Sequence, residues 1–565
     1  MITHPVGRGV RLELLAGVAL FVAVPLLAQE KLEPPQREGT SVDSVSSPTE
    51  EKLPQIDLPE FQITGKERID LPEFSKSAAE DDRGLGTLLD ERGPGQREMP
   101  EFGFGGRVKD QIGFDSVSRG LNGRLTAGYG SFNTPFFDGW FGQTGSSVDF
   151  LLKAGYKSSK GHIANADHRN GYSEISCGWD VPGNADILAG ARLDALVGMH
   201  GDGYRLYGSA VPERKRTINR FRTDVALQSS IEDLFDYSGG VRLQGVTMTD
   251  SIHSREASLG FDLSAERQEG KVRLIGDAAF WSDFYNAPSV VSNPYLFRVG
   301  TRGIYRVSDR IDLAGGLALS FFRGSDNDGK TRLLPTLGVS WYPVERITVF
   351  ARFESSVERR TLGTLAEQNP YIVNDVVIRH EERPVYLTGG GEVEINRGTR
   401  ARLSVDYTLT RSFPLYSDDA DSGLWRPDYE GLTRILAARF EVQAEFDGSH
   451  TISSSLVLQG ARNSVTETSP AYFPSVTLSG IYQYRFPFGL TTGGIVNVVG
   501  QQSVDRENTR TMPAFALVDL TASYTVTSGL TLTGTLRNLF NSSYSWWEGY
   551  LAQPRGVVVS LSHDW

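Results

Sequence analysis

The stretch Leu530–Trp565, LTLTGTLRNLFNSSYSWWEGYLAQPRGVVVSLSHDW, begins and ends on segments that alternate residue by residue. In the first, Leu530, Leu532, Gly534 and Leu536 face one way, while Thr531, Thr533, Thr535 and Arg537 face the other. In the last, Val557, Val559, Leu561, His563 and Trp565 oppose Val558, Ser560, Ser562 and Asp564. A period of two is that of a β-strand, whose successive side chains leave opposite faces. One set is apolar and bounded by aromatics, and the other carries hydroxyls and charge. That division suits strands with lipid on one side and a wet lumen on the other.

The same alternation recurs upstream. Val148, Phe150, Leu152, Ala154 and Tyr156 oppose Asp149, Lys153 and Lys157; Ala401, Leu403, Val405, Tyr407 and Leu409 oppose Arg402, Ser404, Asp406, Thr408 and Thr410. Leu436, Ala438, Phe440, Val442, Ala444 and Phe446 likewise oppose Arg439, Glu441, Gln443 and Glu445. Laid end to end from 119–130 to 555–565, with one strand at 185–199, such segments number about 22, an even count as a single-chain bacterial barrel requires. Short turns at 182–185, 268–270, 396–398, 447–448 and 528–529 alternate with long loops at 283–295, 356–379, 412–429, 500–514 and 539–554. The expected fold is therefore all-β, a transmembrane antiparallel β-barrel over 119–565. Short turns belong to the periplasm and long loops to the exterior, so both chain termini are expected in the periplasm.

Composition agrees. Apolar residues make up 39%, and no mature stretch reaches the roughly 18 to 20 continuous apolar residues of a spanning helix. A barrel hides its membrane signal in alternation, so a polar average is what it should show. The one cysteine, Cys177, precludes an internal disulfide, and the net charge of −12 disfavours nucleic acid as a partner. Residues 1–28 carry Arg8 and Arg11, then LLAGVALFVAVPLLA, and read as a signal peptide cut after Ala28.

Residues 29–118 hold most of the net negative charge, interrupted by Pro34, Pro35, Pro48, Pro54, Pro59, Pro72, Pro94 and Pro100. With little apolar periodicity, this acidic periplasmic tail is expected to be largely disordered. Inside it Ile56-Asp57-Leu58-Pro59-Glu60-Phe61 recurs as Ile69-Asp70-Leu71-Pro72-Glu73-Phe74, with a shorter echo at Met99–Phe102. Proline favours an extended backbone, with Leu and Phe as apolar anchors on either side, so each repeat suits docking to a periplasmic partner.

Several of these segments together resemble TonB-dependent receptors of the bacterial outer membrane. They are Arg537-Asn538-Leu539-Phe540-Asn541 followed by Tyr544 and the closing strand, the first strands Gly120–Thr134, Asp138–Gly142 and Val148–Tyr156, and Leu58–Lys66. The resemblance implies transport of a small solute, the barrel-assembly machinery acting on the terminal aromatic Trp565, and a periplasmic contact with TonB through the tail. Leu85–Gly95 faintly resembles a late turn of the family's plug, but no long mixed plug domain follows. The plug is thus expected to be vestigial or absent.

Chemistry outside this frame is sparse. Eight histidines are scattered, with no HExxH, CxxC or GxSxG, so neither an enzyme nor a cofactor is expected. His162, Asp167 and His168 are a weak candidate metal set. Asp326, Asp328, Asp418, Asp419 and Asp421 are acidic loop residues of the kind that suit calcium, without the EF-hand order. Trp546, Trp547, Tyr550, Phe297, Trp341, Tyr342 and Tyr484 are expected in the interfacial girdles. Arg402, Asp406, Arg439, Glu441, Glu445 and Arg537 are candidates to line a solute path. Three readings follow: a gated transporter, an outer-membrane anchor recruiting a partner through its LPEF repeats, and a passive diffusion channel.

Overall fold

The computed structural model describes residues 123–565, apart from 146, 183–187, 189, 232–234, 397 and 419. Across them 22 strands run from Gly123–Gly130 to Gly556–Asp564, each antiparallel to its neighbours. The first pairs with the last, Arg124 opposite Asp564 through Gly130 opposite Val558, and the sheet is closed. Closure leaves no edge strand whose N–H and C=O groups would face lipid unpaired.

The seam is tied in three ways. Gly123 and Trp565 exchange backbone hydrogen bonds of 3.3 and 3.1 Å, the Arg124 guanidinium grips the Asp564 carboxylate with both ends, and Thr126 and Ser562 share a hydroxyl contact of 2.7 Å. Glycine is required at 123, because a side-chain carbon there would sit 2.5 Å from the Trp565 ring.

Alternation places the side chains as expected. Leu403, Val405 and Tyr407 are exposed on the outer face, whereas Ser404, Asp406 and Thr408 between them are buried inside. Likewise Val148, Leu152 and Tyr156 point out while Asp149 points in. The outer surface is therefore apolar, which a bilayer matches, and the lumen wall is polar and cross-linked by charge. Arg192 alone spans Asp149, Asp180 and Asp194 at 3.0 to 3.1 Å.

Turns also sort as expected. At the end holding Gly123 and Trp565 the hairpins are short except the connection expected at 182–185, which spans 181–191; Asp447 and Gly448, for example, have φ of 47° and 69°, the two left-handed residues of a tight hairpin turn. The long loops, among them 359–380, 412–431 and 538–555, lie at the opposite end. One strand departs from its expected span: the segment placed at 185–199 runs Arg192–Arg205. Its apolar half, Leu193 to Met199, was legible, but His200-Gly201-Asp202-Gly203 looks like a turn and continues as strand. His200 and Asp202 are lumen-facing positions where polarity is no obstacle, and Gly201 and Gly203 fall between them on the outer face. The signal peptide, the acidic tail and residues 119–122 lie outside the described residues.

An arginine at the lipid-facing position 403 should cost about 2 to 4 kcal/mol, against less than about 1 for Ser453→Arg on the lumen side. Urea unfolding of the barrel refolded into lipid vesicles measures both, and equal costs would invert the assigned faces.

Candidate functional site

The long-loop end of the barrel has a core of its own. Side chains from loops 160–167, 206–214, 287–294, 359–380, 412–431, 464–475, 500–514 and 538–555 meet in one buried cluster with Tyr204, Ile218, Val246, Met248 and Tyr285 of the wall. Its centre is aromatic. Tyr371 stacks on Tyr550 with ring centroids 3.6 Å apart, and Trp425 lies against Tyr371, Tyr472, Trp547 and Tyr550. Tyr550 donates its hydroxyl to the Gly423 carbonyl at 2.9 Å, so its one polar atom is satisfied inside the cluster. Trp547 and Tyr550, expected in a girdle, are instead buried here, with Trp546 packed against them. The reason is their place on a loop that folds inward over the lumen. Trp341, on a strand, is exposed on the outer face.

Residues 359–380 form a strap across this mouth. It contains the one described helix, Leu362–Gln368, which begins at Thr361 with a reciprocal cap between Thr361 and Thr364. Leu362 and Leu365 are fully buried, so the helix is held by its apolar face as well as its cap. The strap's entry is clamped by Arg359, whose guanidinium meets both oxygens of buried Asp283, bonds Ser258 and lies 4.2 Å over the Trp281 ring. Glu256 accepts the Leu362 N–H at 2.7 Å, the position where a carboxylate favours a helix start.

Further along, the wall donates to the strap's main chain. Arg216, with no exposed side-chain surface, reaches the Pro370 and Ile372 carbonyls at 2.8 and 2.7 Å while pairing with Asp250 at 2.6 Å. Tyr204 donates to Pro370, Ser254 to Asn374 and Tyr285 to Val376. Ser325 pairs with Ile378 through both its backbone and its hydroxyl. At the exit Glu381 is buried between Arg360 and Arg383. Burial alone would raise the Asp250 carboxyl, but the Arg216 guanidinium overrides it and holds the group below the usual carboxylate range.

His380 ends the strap, and burial pushes its imidazole down to about 4. Its Nδ1 accepts the Arg360 N–H at 3.2 Å, which only the neutral ring can do. His162, in another loop of the same end, is lowered to about 4 by burial as well.

Of the expected lumen residues, Arg402, Asp406, Arg439 and Glu441 come together on adjacent strands, Thr399–Arg411 and Leu432–Phe446, with Arg402 opposite Glu441 in register. Arg402 lies 5.0 Å over the Phe350 ring, and Asp406 accepts the Tyr386 hydroxyl at 3.3 Å. Glu445 is exposed at the short-turn end, and Arg537 is buried near the loop end, away from these four.

The acidic loop residues are engaged internally. Asp326 pairs with Arg379, Asp328 with Lys330, and Asp418 accepts the Ser422 and Gly423 N–H groups. Asp167 is drawn to Arg205 at 2.8 Å, while His162 meets Phe132 edge-on. Among the described residues no three His, Cys, Asp or Glu are placed to hold a metal. The repeat residues Leu58, Pro59, Glu60, Phe61, Leu71, Pro72, Glu73 and Phe74 lie outside the described residues, as does Asp419.

Sequence reading missed the residues that hold the strap, Arg216, Glu256, Asp283 and Glu381. At lumen positions they look like any wet wall. The Thr361-x-x-Thr364 cap inside the long loop expected at 356–379 was the available signal.

A free imidazole takes a proton near 6.5, whereas the buried rings do so only near 4. The closed strap should therefore keep the contribution of neutral His380 in full above pH 6.5 and lose it as pH falls toward 4, by about 3 kcal/mol. Amide exchange across 362–378, corrected for intrinsic rates, should rise between pH 7 and pH 5, and a pH-independent profile would refute this. Arg216→Ala should raise exchange around 370–374 at every pH.

No family model matches the sequence, and no curated protein does. Solved structures do. The FrpB iron transporter from Neisseria meningitidis (F3-3 variant) superposes with a TM-score of 0.63 at 13% identity, covering 80% of this chain and 82% of that one. The ferric yersiniabactin uptake receptor FyuA from Yersinia pestis gives 0.59 at 11%, covering 78% and 80%. The copper transporter OprC gives 0.59 at 13%, covering 79% of each. At such identities the likeness speaks for fold alone, and the described part of this chain has the closed 22-strand barrel fold of the TonB-dependent receptors.

Proposed function

We propose that the chain is an outer-membrane transport protein of the TonB-dependent-receptor type, with the lumen as its solute path and the strap 359–380 as its outer gate. The observation that supports this is the manner of closure. The strap is pinned to the inner wall by hydrogen bonds and ion pairs, through Arg216, Glu256 and Arg359, beside the apolar packing of Leu362, Leu365, Tyr371 and Ile372, rather than continuing the sheet. The polar contacts can be exchanged for water or solute contacts at modest net cost, as a gate requires of them. A permanently open diffusion channel fits poorly with eight loops sharing one buried core.

In this reading the short turns face the periplasm and the apolar outer face meets outer-membrane lipid. Trp565 closes the seam and serves the barrel-assembly machinery as its signal. The tail, through Leu58–Phe61 and Leu71–Phe74, engages TonB or another periplasmic protein. A sealed mouth also suits the second reading, a barrel that anchors a periplasmic partner recruited by the same repeats. Removing 56–74 separates them: the anchor reading requires loss of the partner, the transporter reading loss of uptake.

In planar bilayers the intact mature protein should stay closed, and Arg216→Ala combined with Arg359→Ala should conduct. Silence from both forms would remove the strap as the gate. Strong conductance from the intact protein would restore the passive pore.

A further inference from the structure

The lumen wall is not uniform around its circumference. On the strands from Val148–Ser159 to Thr399–Arg411 the inward positions are dense in charge, tied across strands in pairs. Arg242 meets Asp262, Arg273 meets Glu266, Arg298 meets Asp277 and Arg400 meets Glu392. From His450–Asn463 round to Gly556–Asp564 the pattern changes. Outward parity there is fixed by exposed Leu458, Tyr482, Leu520, Tyr524, Leu532 and Val559. The alternate, inward residues are then mainly hydroxyls and amides, interspersed with apolar Val457, Ile481, Ile495, Leu517 and Val558, and few are charged.

Register lines these residues up across the wall. Ser455 stands opposite Ser479, and Ser479 opposite Asn497. Ser523 and Thr533 share a hydroxyl contact of 2.9 Å, and Thr521 and Thr535 one of 3.3 Å. The charges on these strands that face inward sit toward the ends. Asp519 accepts the Asn538 N–H at 2.7 Å beside the loops, Arg537 is buried there, and Asp564 is bound to Arg124 at the seam. Arg485 lies in the turn region at the opposite end. Between them runs a band rich in uncharged hydrogen-bonding groups, broken by Val457, Ile481 and Ile495, half-buried at Ser455 and Asn497 and exposed at Ser479.

The strap takes the other side. Its wall partners, Tyr204, Arg216, Ser254, Glu256, Asp283 and Tyr285, belong to the charged sector. From this juxtaposition we infer that the hydroxyl band is the solute track, and that it takes an uncharged, hydroxyl-rich solute of the polyol or sugar type. The inference rests on the transport reading and names the solute class for it.

The physical argument has two parts. A charged solute leaving bulk water needs compensating charge along its way, and this sector supplies little, while the opposite wall's cations are largely committed to its own carboxylates. A polyol loses hydrogen bonds to water and regains them from Ser, Thr and Asn groups of matched strength, donor and acceptor alike. Thr531, Thr533 and Thr535 in succession on one strand, with Ser560 and Ser562 on the next, let those bonds be handed on along the band.

The test uses proteoliposomes carrying the full chain with the gate released, as Arg216→Ala with Arg359→Ala, and separately as Glu256→Gln with Asp283→Asn in case the first pair fails to fold. Swelling in isotonic raffinose, an uncharged trisaccharide, is compared with swelling in a potassium salt of a sugar acid. A potassium chloride gradient gives the ion preference.

Entry of raffinose should be several-fold faster than entry of the acid, with little preference between potassium and chloride. Ser455→Asp with Ser479→Asp should slow raffinose several-fold and create a preference for potassium. Equal or faster entry of the acid, or raffinose entry indifferent to the Asp pair, overturns the solute class while leaving transport intact. Released forms that retain the folded barrel but pass neither solute overturn the transport reading itself.

Discussion

Inside a bilayer no water is present to satisfy a backbone amide, so every N–H and C=O of a spanning strand needs a partner on the next strand. The bonds between Gly123 and Trp565, and the pairing of the first strand with the last, extend that rule to the seam. The rest follows from closure. Once the sheet is a ring, each strand has a lipid face and a lumen face, and alternating sequence such as Leu403, Ser404, Val405, Asp406 satisfies both.

Closure creates a second problem, a wide polar interior. The wall meets it by pairing charge with charge across neighbouring strands, as Arg192 does with three aspartates. At the mouth the solution is different in kind. Loops that would otherwise be solvated share an aromatic core around Trp425, and the strap carries its own capped helix into that core. The barrel is thus a membrane protein whose only extensive hydrophobic core among the described residues lies in its loops, built on the same packing logic as a soluble domain.

That division explains what the sequence disclosed. Strand periodicity is a local property, repeated many times, so the barrel, its even strand count and the sorting of short turns from long loops could all be read directly. The strand at Arg192–Arg205 was displaced because polar lumen residues imitate a turn. The loop core was not legible. Trp547 and Tyr550 resemble girdle residues until their loop is known to fold inward, and Arg216 resembles any wall arginine until two carbonyls of a loop some 150 residues away are placed against it. Contacts between distant segments leave no local pattern, and the site consists of such contacts.

The strap's anchors have an evolutionary consequence. Arg216, Tyr204, Ser254 and Tyr285 bind the carbonyls of Pro370, Ile372, Asn374 and Val376, groups that every amino acid supplies. A segment held partly by its main chain keeps that part of its seat while its few outward side chains, Glu367 and Val377, drift; its buried Leu362, Leu365, Tyr371 and Ile372 have no such freedom. Selective constraint therefore falls on the buried strap residues and on the wall residues that hold them, and least on those outward positions.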